Sequence, residues 1–269
     1  VCDIISYTPF EVAAQTLTGT TTMTDVVAAT LDISGNIDID GTTNLDIVDI
    51  DGAANFAADV TIATGADLLT ASAGTDNVRI GLDAGDSIAS GGLRNILIGR
   101  NAGTAITTGD SNIAIGWEAL KTEDANGNNV AIGASALATQ NAGADAYNVG
   151  IGYNAGLSVT TGANNTLIGG LSGDALTTGA GNVSVGTSSL SASQTGNNGT
   201  AVGYGALAAT TTSDNTGIGY LAGQAVTTGI QNTLIGANAG DALTDADANV
   251  AVGRAALTTD TLGSQSVAI

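Results

Sequence analysis

"NVAIGASALATQNAGADAYNVGIGYNAG", residues 129–156, states its own rule twice: Asn129-Val130-Ala131-Ile132-Gly133 returns as Asn148-Val149-Gly150-Ile151-Gly152. Aligned on the glycine of Asn-x-x-[Ile/Val]-Gly, the motif recurs at Gly81, Gly99, Gly116, Gly133, Gly152, Gly169, Gly186, Gly203, Gly219, Gly236 and Gly253. The intervals are 18, 17, 17, 19, 17, 17, 17, 16, 17 and 17, and Ser266-Val267-Ala268-Ile269 starts a twelfth copy in register. A fixed period of this kind means stacked units, each unable to bury its apolar face alone.

Within the motif the pattern is that of a strand, with Val or Ile at the second and fourth positions on one face. The middle residue, on the other face, is Leu97, Ala114, Ala131, Gly150, Leu167, Ala201, Gly217, Leu234, Ala251 or Ala268, with Arg79 and Ser184 as polar exceptions. Both faces are therefore apolar and need cover. A coil of 17 residues has one interior, so the second face is expected to pack on another chain. Leu97, Ala114, Ala131, Leu167, Ala201, Leu234 and Ala251 are assigned to that interchain face.

The leading asparagine occurs in Asn77, Asn95, Asn112, Asn129, Asn148, Asn165, Asn182, Asn215, Asn232 and Asn249, with Gly199 and Ser266 in the other two copies. Asn tolerates turn conformations and stacked amides form ladders, so a turn-and-ladder role is expected. Downstream of each glycine comes Ala-Gly or Ala-Leu, as in Ala102-Gly103 and Ala119-Leu120. Several coils close with Thr-Thr-Gly, as in Thr107-Thr108-Gly109 and Thr160-Thr161-Gly162. Two short strands joined by two Gly or Asn turns account for the repeat length. The reading is all-β: an elongated fibrous homotrimer built on a parallel β-roll or β-solenoid with repeats of about 17 residues.

Composition agrees with stacking rather than with a globular core. The 269 residues include 39 glycines but only 3% aromatics, while hydrophobic residues reach 43%, too many and too periodic for a disordered Gly-rich chain. The formal charge is −20, with five basic residues (Arg79, Arg94, Arg100, Lys121 and Arg254), which argues against nucleic acid as a partner. No run approaches the ~20 apolar residues of a membrane-spanning helix, and no signal peptide is visible, so membrane insertion is not expected. Starting at Val1 and stopping inside a repeat, the sequence reads as an excerpt of something longer.

Three segments follow: a junction at 1–27, a Gly/Asp-rich β shaft at 28–76 and the stacked repeats at 77–269. The shaft is typified by "LDISGNIDIDGTTNLDIVDIDG", residues 31–52, where apolar residues alternate with Asp between Gly turns. Asn36 to Gly41 copies half an EF-hand loop, but Ile47 stands where the bidentate acid belongs, so that motif is rejected. The remaining metal reading is an adventitious Ca²⁺ site among Asp38, Asp40, Asp49 and Asp51, with solvated strand faces as the first choice. No cofactor is expected.

With no histidine and a single cysteine, Cys2, nucleophilic triads and imidazole metal sites are excluded, and the chain is not expected to be an enzyme. The acidic cluster of Glu118, Glu123 and Asp124 beside Lys121 leaves glycan cleavage as a minor alternative. Binding residues are sought instead just after the repeat glycine, where Arg100, Trp117, Tyr153, Tyr204, Tyr220 and Arg254 would stack along one edge of the roll. Aromatic packing at turns is the competing reading of that column.

The motifs Asn129-Val130-Ala131-Ile132-Gly133, Asn249-Val250-Ala251-Val252-Gly253 and Ser266-Val267-Ala268-Ile269 resemble the head repeats of trimeric autotransporter adhesins. That resemblance covers residues 77–269 and implies three β-rolls side by side, although the repeat here is longer than the family's. The segment 31–52 looks like the shaft sequences of bacteriophage tail fibres. Together they imply a virion tail fibre, partnered by other tail proteins and by a host cell-surface glycan or protein. A bacterial cell-surface adhesin is the alternative, and an ice-binding solenoid, suggested by the Thr-Thr-Gly turns, is a third reading.

Overall fold

The three residues before each repeat glycine place β-branched side chains on both sides of a centre that is small or aliphatic except at Arg79, a composition that favours extended backbone. In a computed structural model describing residues 73–269, these motifs form the strands. They are β1 (Val78–Ile80), β2 (Ile96–Ile98), β3 (Ile113–Ile115), β4 (Val130–Ile132), β5 (Val149–Ile151), β6 (Thr166–Ile168), β7 (Val183–Val185), β8 (Thr200–Val202), β9 (Thr216–Ile218), β10 (Thr233–Ile235), β11 (Val250–Val252) and β12 (Val267–Ala268). All pair in parallel and in sequence order, forming one sheet whose register matches the repeat residue for residue. The repeats form a parallel β-solenoid, and eleven steps of about 4.8 Å give its sheet a length of roughly 50 Å. The junction at 1–27, the shaft up to residue 72 and Asp38, Asp40, Asp49 and Asp51 lie outside the described residues.

The expected second strand of each coil is not formed among the described residues. Left-handed backbone takes its place. In the coil after β2, Gly99 (φ 126), Asn101 (φ 59), Gly103 (φ 55) and Ser111 (φ 58) bend the chain four times, leaving no extended stretch opposite the sheet. Ala102, Ala119, Ala136 and Ala155 sit between two such bends, and their small side chains are wholly buried.

The solenoid interior contains the residues that the sequence reading placed between chains. Leu97, Ala114, Ala131, Leu167, Ala201, Leu234 and Ala251 are each 0% exposed within a single chain, so their assignment to a trimer interface is corrected. The turns after each strand fold toward the middle residue, and the flanking Val, Ile and Thr are left on the outer face. This outward set is half-buried to exposed, as in Ile96 (37%), Val183 (37%) and Ile218 (37%). The reading that one apolar face lacks cover within the coil holds, with the two faces exchanged.

Packing inside follows a size rule between two positions of each coil. Where the middle strand residue is Leu97, Leu167 or Leu234, the fourth residue after the glycine is Gly103, Gly173 or Gly240. A Cβ there would come within 2.8 Å of that leucine's own methyls. Where the strand carries Ala114, Ala131 or Ala201, the leucine moves to the turn as Leu120, Leu137 or Leu207. These leucines take left-handed φ of 48–50°, an unfavourable backbone for a bulky residue that filling the coil's interior offsets. Gly150 and Gly217 lie against Leu137 and Leu207 of the preceding coil, where a Cβ would be 2.7 Å from the leucine Cγ.

The apolar interior is divided at the coil of β7. One cluster runs from Ala84 to Leu176 and the other from Leu190 to Ala251. Between them Ser172, Ser184 and Ser189 bond one another through their hydroxyls, at 2.8 Å and 2.6 Å, while the buried Ser193 hydroxyl has no partner.

Candidate binding surface

The column of Arg100, Trp117, Tyr153, Tyr204, Tyr220 and Arg254 begins one residue after the repeat glycines. Those glycines stack so closely that a Cβ on Gly116 would lie 2.5 Å from the Gly133 carbonyl oxygen, and their φ near 130° admits no other residue without strain. The following residue is therefore turned out of the coil. Its carbonyl accepts from the next coil's backbone: Ser135 N–H donates to Trp117 (2.8 Å), Asn154 N–H to Ala134 (3.0 Å) and Asn238 N–H to Tyr220 (2.8 Å). These bonds hold the column in register.

All six candidate side chains are exposed. They do not form one continuous stack. Tyr204 and Tyr220, on adjacent coils, stack with centroids 5.6 Å apart and planes 16° from parallel. Trp117 and Tyr153 are separated by the coil carrying Ala134. Gly170 and Thr187 lie between Tyr153 and Tyr204, and Ala237 lies between Tyr220 and Arg254.

The asparagines line the inside of the opposite corner. From Asn95 to Gly199, the N–H of each ladder residue donates to the side-chain oxygen of the asparagine one coil before, starting with Asn77, at 2.8–3.1 Å. The amide nitrogens donate to turn carbonyls, as Asn165 does to Gly179 (2.9 Å) and Asn232 to Ala246 (2.7 Å). Gly199 supplies no amide, and the ladder resumes at Asn215, which receives Asn232 N–H (3.0 Å) and leads through Asn249 to Ser266. The side chains are 0–6% exposed, so the ladder satisfies polar groups inside the solenoid rather than facing a ligand.

The acidic cluster is dispersed by the fold. Glu118 pairs with Lys121 at 3.1 Å, Asp124 accepts the Ala125 N–H, and Glu123 turns into the interior, fully buried. Glu123 occupies the core column held elsewhere by Ile106, Val159 and Leu176. Its oxygens accept from Asn126 Nδ2 (3.1 Å) and Gln140 Nε2 (3.2 Å), and Asn148 Nδ2 donates onward to Gln140 Oε1 (3.0 Å). The three acids thus serve three different partners. No group of three potential metal-ligating side chains is present among the described residues.

Burial raises the Glu123 pKa, the surrounding amide donors opposing the shift only in part. A carboxyl whose folded pKa is raised binds its proton more tightly in the folded state. Its contribution is therefore most favourable below the ordinary value near 4.5 and is lost as pH rises through the folded value. Thermal melts from pH 4 to 7 should show a pH-dependent loss of stability that Glu123→Gln reduces, and parallel curves for the two proteins would contradict this account.

No protein-family model, curated protein or solved structure matches the chain.

Proposed function

We propose that this chain is part of a surface-attachment fibre in which three copies associate through the outer faces of their sheets. The observation carrying this reading is the outer Ile/Val/Thr surface, which runs along all twelve strands and bears no charge in a chain of net charge −20. Strands three residues wide, repeated over roughly 50 Å, make a footprint on the order of 500 Å². A contiguous exposed patch of that size lies in the upper part of the range that single chains carry, where such patches are often functional. Like-charged copies approach most readily across an uncharged face.

Regular stacking gives length, and the exposed residues following the glycines give a place to grip a host-surface glycan or protein. The shaft-like segment 31–52 favours a bacteriophage tail fibre in the virion, joined to other tail proteins. The likeness of Asn129–Gly133 to autotransporter head repeats keeps a bacterial adhesin as the second reading. Ice binding is disfavoured because Thr-Thr recurs in only some coils and the first threonine of the pair is engaged, Thr107, Thr177 and Thr227 donating to carbonyls of the following coil at 2.9–3.2 Å.

Ile168→Asp, on the outer face, tests the association. Native mass measurement and negative-stain imaging should show trimeric rods for the natural chain and soluble, folded monomers for the variant. A monomeric natural chain, or a variant that still forms trimers, would overturn the proposed interface.

A further inference from the structure

The only tryptophan of the chain stands exposed on one side of a notch. Trp117 and Tyr153, 50% and 62% exposed, flank the coil on which Ala134 holds the equivalent position. Their side chains make no hydrogen bond and touch no other ring among the described residues. Tyr204 and Tyr220, by contrast, occupy adjacent coils and stack on each other with no gap between them. Ala134 leaves open the position that an aromatic ring occupies on the coils to either side.

We propose that the Trp117–Ala134–Tyr153 notch binds one pyranose ring of an uncharged glycan, a proposal that rests on the attachment reading and names its ligand. The backbone anchors of the two aromatic residues are two coils apart, about 9.6 Å. A ring resting on Ala134 midway has about 4.8 Å on each side. Tyr204 and Tyr220 stack across one such coil step, so the two-coil gap admits a single ring between its walls, and a puckered pyranose with axial hydrogens on both faces suits it. Its C–H faces are attracted to the negative faces of the aromatic rings.

The rim provides partners for sugar hydroxyls. Asn154, next to Tyr153, has no side-chain hydrogen bond among the described residues, and Glu118, next to Trp117, pairs only with Lys121. A rim carboxylate on a chain of net charge −20 selects against sialylated or phosphorylated sugars. The register bonds from Ser135 N–H and Asn154 N–H hold the notch at a constant width, so little ordering is needed on binding.

The single tryptophan reports directly on occupancy. Maltotetraose, cellotetraose and chitotetraose are titrated into the intact protein while Trp117 emission is followed. At least one should give a saturable change, with affinity at least tenfold weaker in both Ala134→Tyr and Tyr153→Ala. The first variant fills the notch with a residue that the equivalent positions 153, 204 and 220 already carry, so the coil is expected to fold. Tyr153→Ala removes one wall instead, and unchanged melting of either variant separates lost binding from lost structure. Absence of any response from the three sugars, or equal affinity in folded variants, overturns the proposal. Trimeric rods that adhere to host cells without a Trp117 response reject the notch alone, while a responding monomer rejects the trimeric fibre and leaves the notch standing.

Discussion

Leu167→Asp should unfold the coils around β6 instead of simply separating subunits. Leu167 is wholly buried, and its methyls fill the space left by Gly156 and Gly173, where added Cβ atoms would lie 2.7 and 2.8 Å from them. Truncating a buried leucine costs about 2–5 kcal/mol. An aspartate there must also lose its hydration without a basic partner, or take up a proton, so the total exceeds ~5 kcal/mol. Domain stabilities are about 5–15 kcal/mol, which makes such a loss severe for the surrounding coils. Circular dichroism should show lost β structure for Leu167→Asp and retained β structure for Ile168→Asp. Similar folding of both would overturn the division between inner and outer faces.

Asn165→Ala should rank next, at about 2–5 kcal/mol, because it leaves buried backbone groups unpaired. The Asn165 side-chain oxygen accepts both Asn182 N–H and Asn182 Nδ2, each at 3.0 Å, and its nitrogen donates to Gly179. Alanine keeps none of these bonds, while Asn182 Nδ2 retains the Gly196 carbonyl at 2.9 Å. Urea denaturation should show the midpoint falling, and hydrogen exchange should locate the loss of protection at Asn182 and its neighbours. A midpoint within error of the natural chain would mean that the ladder contributes no stability. The natural gap at Gly199 shows that one missing amide is compatible with the fold. There Asn215 Nδ2 has the Thr212 hydroxyl at 3.3 Å and the Gly229 carbonyl at 2.8 Å.

The repeat itself was legible because stacking imposes the same requirements on every coil. Thus Gly116, Gly133 and Gly152 mark a contact too close for a side chain, and Val130 with Ile132 marks a strand between turns. The exposed column after the glycines was readable for the same reason. The single strand per coil was harder to foresee: residues such as Leu120 and Leu137 have no intrinsic preference for left-handed backbone and adopt it where the interior needs their volume.

Glu123 illustrates a further limit. In sequence it sits in a polar stretch with Asp124 and Lys121, and only alignment with Ile106 and Val159 marks it as an interior position. The notch at Ala134 depends on spatial order as well, since residues 117 and 153 become neighbours of one gap only when the coils stack in register.

By itself the sequence determined a parallel stack of coils about 17 residues long, its strand positions, and that two apolar faces would need cover. Only the tertiary structure decided which face is inside. Alternation along a strand separates two faces without naming either, and the direction in which the following turn closes the coil selects between them. Here the turns carry Leu137 and Leu207 back toward the middle strand residues, leaving Ile132 and Val202 outward and free for a neighbouring chain to cover.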